Sequence, residues 1–190
     1  MSPTLAPEQL RDLADARKRS KPIRSAITVA KFDGITVALF GGLTFLSVAF
    51  GSIWGLILGA GMCTIAYIEL QGAQRLRRLD VTAPKTLALN QVCLGLLLLS
   101  YAIYSIFTAG ASIDATLKEA GPDVANMFGN DIKSLTWLIT YLVYGTLAAV
   151  AIFGQGGTAL YYLSRRKYIE AYLAQTPPWI IQAQQAGMPM

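Results

Sequence analysis

Four stretches of this chain are long, apolar and almost free of charge: residues 34–50, 52–69, 87–107 and 134–163. A helix of about 20 apolar residues crosses a hydrocarbon core of about 30 Å, so each stretch predicts a membrane span. Only 14% of the residues are charged, against about a quarter in soluble domains. The expected fold is an all-α membrane protein, a four-helix transmembrane bundle built from two hairpins. The first two stretches part at Gly51–Ser52 with one residue between them, which makes that hairpin tight. The fourth is longer than a bilayer needs, so its helix tilts or projects into water.

Three regions follow from this pattern. Residues 1–31 form a basic N-terminal segment, 32–163 the transmembrane domain with an outer loop at 108–133, and 164–190 a tail. The basic residues orient them. Arg11, Arg17, Lys18, Arg19, Lys21, Arg24 and Lys31 precede the first span, Arg75, Arg77, Arg78 and Lys85 follow the second, and Arg165, Arg166 and Lys167 follow the fourth. Only Lys118 and Lys133 fall in the outer loop, among Asp114, Glu119, Asp123 and Asp131. By the positive-inside rule both termini are cytoplasmic, and a bacterial cytoplasmic (inner) membrane is the expected location. The first two dozen residues are polar and lack the apolar core and small-residue cleavage site of a secretory signal. The first span is therefore expected to be an uncleaved anchor, and neither end carries a lipidation motif.

Short interfacial helices are expected outside the spans. Residues 7–20 open on Pro7 with acidic residues early and basic residues late, which suits a helix and its dipole. In the outer loop Ile113 and Leu117, then Val124, Met127 and Phe128, recur at helical spacing on either side of Gly121 and Pro122. The tail carries Trp179, Ile180 and Ile181 after the Pro177–Pro178 break. Two segments, beginning at Gly61 and Gly154, also align without gaps through Pro84 and Pro177, the pattern a duplicated hairpin would leave.

Small residues recur every fourth position at Gly51, Gly55, Gly59 and Cys63. In lipid such a stripe lets two backbones approach closely, so these four are read as a helix-packing seam. Glu69 lies five turns beyond Gly51 and returns to the same azimuth. Asp33, Glu69, Asn90 and Gln91 stand at comparable depth near the basic ends, where Lys31 or Arg75 could pair with the carboxylates. Ionisable groups in spans are costly and raise a functional question. Either these side chains form a polar layer that fixes helix register, or they form a proton or cation site. Gln155 sits about two turns inside the fourth span among glycines, where its amide is expected to bond another helix. Tyr101, Tyr104, Trp137, Tyr141 and Tyr144 cluster toward the outer half, as interfacial aromatics do; a slot for a lipid, quinone or pigment is the alternative.

The sequence contains no histidine, CxxC, P-loop or GxSxG motif, which removes bis-histidine haem ligation, histidine metal sites and the usual general base. Cys63 and Cys93 lie in separate spans as packing residues. No catalytic residue, metal or cofactor is expected, and the protein is not expected to be an enzyme. A basic belt beside apolar spans attracts anionic lipid rather than nucleic acid. The expected role is a structural or accessory membrane protein, partnered by lipids and by itself (as a homo-oligomer) or other membrane subunits. The alternative is a small transporter or channel using Asp33, Glu69 and Gln155.

Overall fold

The computed structural model describes residues 6–51, 53–186 and 188. Ser52, where the second apolar stretch begins, lies outside them, as do the side chains of Val124, Met127 and Phe128. Among the described residues the secondary structure is helical, with no strand. The helices are α1 (Pro7–Arg19), α2 (Lys21–Leu46), α3 (Ile53–Arg77), α4 (Ala83–Ala120), α5 (Pro122–Ala149), α6 (Gln155–Gln175) and α7 (Pro178–Gln185). A 3-10 turn at Ser47–Phe50 follows α2, and a π turn at Val150–Gly154 joins α5 to α6. Four helical segments are long and apolar enough to cross a membrane: Lys21–Leu46, Ile53–Arg77, Ala83–Glu119 and Gly129–Gln175. The chain divides into two compact units, Met1–Gln91 with Thr158–Met190, and Val92–Gly157.

Local chemistry sets the helix ends. Pro7 occupies the first turn of α1, where its missing N–H has no intrahelical partner to lose. The Gln9 side chain accepts from the Ala6 N–H at 3.0 Å, and Arg17, Lys18 and Arg19 lie at the negative end of the dipole. Pro22 is tolerated in the first turn of α2 for the same reason as Pro7. Gly51 adopts φ +79°, a conformation that glycine reaches without a Cβ clash, and turns the chain toward α3.

In the first unit α2 and α3 pack closely because glycines leave room. A Cβ on Gly59 would fall 2.7 Å from the Phe45 nitrogen; one on Gly41 would fall 2.9 Å from Met62 Cβ; one on Gly34 would fall 3.3 Å from Glu69 Cβ. The buried positions of α3 are Gly55, Leu58, Gly59, Met62, Ile65, Ala66, Glu69, Gly72, Ala73 and Leu76. They form two interleaved rows, each stepping by three and four, which keeps one face turned to the neighbour.

The hydrophobic core of this unit lies toward the basic end. Ile23, Ala26 and Ala30 of α2, Ala73 and Leu76 of α3, Leu87 of α4, Tyr162, Ile169 and Tyr172 of α6, and Ile180 of α7 are buried in it. The tail thus contributes Ile180 to protein packing, while Trp179 stays partly exposed. Arg19 Nη1 donates to the Gln175 carbonyl at 2.5 Å, and Tyr172 Oη donates to Gln184 Oε1 at 2.9 Å.

The α3–α4 turn combines a polar clasp with a strained residue. Arg75 Nε donates to Asp80 Oδ2 at 2.8 Å, and the Thr82 N–H and hydroxyl both donate to Asp80 Oδ1. Arg75 is therefore engaged by Asp80 of the turn, not by Asp33 or Glu69. Partial burial pushes the Asp80 carboxyl up, but its Thr82 and Arg75 donors outweigh that and hold its pKa below the usual carboxylate value. Its contribution to the turn is present at neutral pH and is lost as pH falls below the ordinary carboxylate range. Leu79 adopts φ +61° with 3% exposure. Left-handed backbone costs about 1–2 kcal/mol, whereas truncating a buried leucine costs about 2–5 kcal/mol. Burial wins, so Leu79→Gly should lower stability by about 2 kcal/mol in detergent unfolding; a more stable variant would show that strain dominates.

In the second unit α4 runs on to Ala120, and Gly121 at φ +94° makes the only break before α5. The expected outer-loop helices are thus continuous with the spans. "SIDATLKEA" contains no breaker, and Ile113 and Leu117 bury one face of it. Lys133 pairs with Asp114 at 2.9 Å. Tyr101 meets Tyr144 edge-on at 5.9 Å, and Trp137 stacks on Tyr141 at 5.4 Å. Further along, a Cβ on Gly95 would fall 3.0 Å from the Ala151 carbonyl oxygen in the π turn and 3.3 Å from Gln155 Cβ.

Candidate functional site

The most concentrated polar chemistry within the spans lies in the first unit, where four helices each contribute a side chain to one layer. Glu69 on α3 is 1% exposed, yet both its carboxylate oxygens have donors. Tyr162 Oη on α6 donates to Oε1 at 2.6 Å, and Asn90 Nδ2 on α4 donates to Oε2 at 2.8 Å. The same Asn90 nitrogen donates to the Ile65 carbonyl at 2.9 Å, fixing its orientation against α3. The neighbouring Gln91, fully buried, donates through Nε2 to Asp33 Oδ2 on α2. Its own Oε1 is buried with no hydrogen-bond partner.

Close helix packing helps to bring these residues together. Gly34 follows Asp33 directly and lets α2 come close to Glu69 and Leu70. Asn90 and Gln91 are adjacent on α4, so they point in different directions and reach different carboxylates. Hydrogen bonds between membrane helices contribute about 0.6–2 kcal/mol each, and bonds to an ionised group contribute about 1.5–3 kcal/mol. Among the described residues neither Asp33 nor Glu69 has an ion pair. Their partners are amides and a phenol.

Asp33, Glu69, Asn90 and Gln91 are thus brought together, and Tyr162, which the sequence reading missed, completes the layer. Gln155 belongs to the other unit, beside Gly95. The four-residue stripe is divided. Gly51 lies in the turn before α3, with nothing within 4 Å of a Cβ built on it; Gly55 and Gly59 are buried, and Cys63 is exposed. Successive steps of four drift by about 40° around a helix turning 100° per residue. The buried face therefore passes to Met62, Ala66 and Glu69, leaving Cys63 at the seam's edge. Opposite lie Gly34 and Gly41, seven residues apart, a signal of close packing that was present in the sequence.

Among the described residues no three histidine, cysteine, aspartate or glutamate side chains are grouped as a metal would need. Comparison with protein-family models, curated proteins and solved structures finds no match.

Proposed function

We propose that this protein is a non-catalytic structural or accessory component of a membrane, with both termini cytoplasmic. The observation that carries this reading is the closed state of Glu69, whose two oxygens are taken by side chains from two other helices. An acid committed in this way ties α3, α4 and α6 together and fixes their register. Exposed apolar residues supply surfaces for lipid and for neighbouring subunits, including Leu39 and Leu43 on α2 and Leu138 and Leu142 on α5. A bacterial inner membrane fits the distribution of Arg and Lys.

A second reading, a small transporter or channel, draws on the partnerless Gln91 Oε1 beside Asp33. A conducting path requires polar groups at successive depths, whereas these four share one layer. The scaffold reading is tested by native mass measurement after gentle extraction. The expected particle contains more protein than the single 20.5 kDa chain, as a homo-oligomer or with another membrane protein. A particle holding one chain and only lipid would overturn it.

Orientation has its own test. With Cys63 and Cys93 replaced by alanine, single cysteines at Lys18 and Ser112, both exposed, should label oppositely with an impermeant thiol reagent. Ser20 is fully buried and unsuitable. Labelling of Lys18→Cys from outside intact cells would reverse the assignment.

A further inference from the structure

We infer that a basic cleft in the first unit binds a phosphate group, carried in the membrane by the headgroup of an anionic phospholipid. The cleft has a volume of about 640 Å³ and is lined by Arg24, Thr28 and Lys31 of α2, Arg77 and Arg78 around the end of α3, and Gln184 of α7, among others. That size falls in the range of about 300–1,000 Å³ typical of small-molecule sites. Among the described residues four cations line it, and no carboxylate does. None of the four has an ion pair among the described residues. Like charges gathered without counter-charge repel one another, and an oxyanion placed among them removes that repulsion. Arg24 Nε is also buried with no hydrogen-bond partner, although Nη2 of the same group donates to the Arg17 carbonyl at 3.3 Å. Gln184 Oε1 accepts from Tyr172, which leaves its amide nitrogen as the donor end.

The helix faces that line the cleft favour a lipid over a soluble phosphate. Arg24, Thr28 and Lys31 stand at steps of four and three on α2, and the next position on that face is Ile35, then Leu39. Just past the end of α3, Arg78 extends the face through Gln74 and Gln71, which continues to Tyr67. Ile35, Leu39 and Tyr67 are 62%, 61% and 63% exposed. Each face thus passes from cationic or amide side chains to exposed apolar ones, the order in which a headgroup and its acyl chains would meet them. Arginine and lysine supply charge-assisted donors to phosphate oxygens.

The test uses the full chain in phosphatidylcholine nanodiscs and phosphatidylglycerol labelled on an acyl chain, read by energy transfer from tryptophan. Identically labelled phosphatidylcholine is the neutral arm, and retention of radiolabelled inorganic phosphate is the soluble arm. Phosphatidylglycerol should bind saturably and in preference to phosphatidylcholine. The Lys31→Gln/Arg77→Gln pair should weaken it about thirty-fold, taking about 1 kcal/mol per basic residue near the surface. Arg11→Gln/Lys18→Gln, outside the cleft, should change it less than about two-fold. If the first pair does not fold, as judged by gel filtration and helicity, Arg24→Gln/Arg78→Gln decides by the same criterion. Inorganic phosphate retained without lipid preference, and lost in the cleft variants, would keep the phosphate site and assign it a soluble source. Binding that survives in the cleft variants, falls equally in the outside pair, or is absent for both probes would overturn the proposal.

Discussion

Gly59→Ala should cost the protein about 3 kcal/mol, while Gly42→Ala should be neutral or slightly stabilising. The added methyl at Gly59 would lie 2.7 Å from the Phe45 nitrogen and 2.8 Å from its Cα. Those atoms are backbone and cannot rotate away, so α2 and α3 must separate along their length. Overpacking usually costs about 1–3 kcal/mol, and a backbone obstacle places this variant at the upper end. At Gly42 nothing lies within 4 Å of the new carbon, and the gain in helix propensity is up to about 1 kcal/mol. Unfolding in mixed detergent, followed by helicity, compares the two. Equal stability would mean that α2 and α3 do not meet at Gly59.

The second large effect is expected at Glu69. Glu69→Ala removes the acceptor for the Tyr162 hydroxyl and for one Asn90 amide hydrogen, and leaves both buried without a partner, while the Ile65 carbonyl still holds the other Asn90 hydrogen. Each unsatisfied donor costs about 1–3 kcal/mol, so a loss of about 4 kcal/mol is expected. Glu69→Gln keeps one acceptor oxygen. Its amide nitrogen then faces either the Tyr162 hydroxyl or the Asn90 amide, at a cost of about 1–2 kcal/mol. Tyr162→Phe removes one donor and leaves Glu69 Oε1 bare, at about 2 kcal/mol. The order Ala, Phe, Gln from worst to mildest is the signature of a hydrogen-bonded lock. Alanine no worse than glutamine would show that the carboxylate holds nothing together.

The four candidate spans were legible because length and hydropathy decide them without any tertiary information. The depth of Asp33, Glu69, Asn90 and Gln91 was legible for the same reason, since depth follows from position along each apolar run. Azimuth was harder. A stripe at steps of four looks straight on paper but precesses on a real helix, so Gly51 lies in the turn and Cys63 at the seam's edge beside Gly41, while Met62 and Ala66 are buried. The opposing glycines carried a clearer sign, the step of seven from Gly34 to Gly41. Tyr162 was hidden because it meets Glu69 across 93 residues of sequence, and nothing local to "ALYYLSRR" separates it from Tyr161. The outer segment was misjudged in extent. Helix was expected on either side of Gly121 and Pro122, and it is there, but it runs without a break into α4 and α5 instead of forming separate short helices.

Whether the buried carboxylates hold helices or move ions is decided most directly by flux. Purified protein in liposomes, assayed for proton and monovalent-cation leak, should show none above protein-free vesicles, and Glu69→Gln and Asp33→Asn should behave alike. Charge is what an ion requires, whereas shape and hydrogen bonding are what a lock requires. A leak present in the wild-type protein and abolished in folded Glu69→Gln would contradict the account.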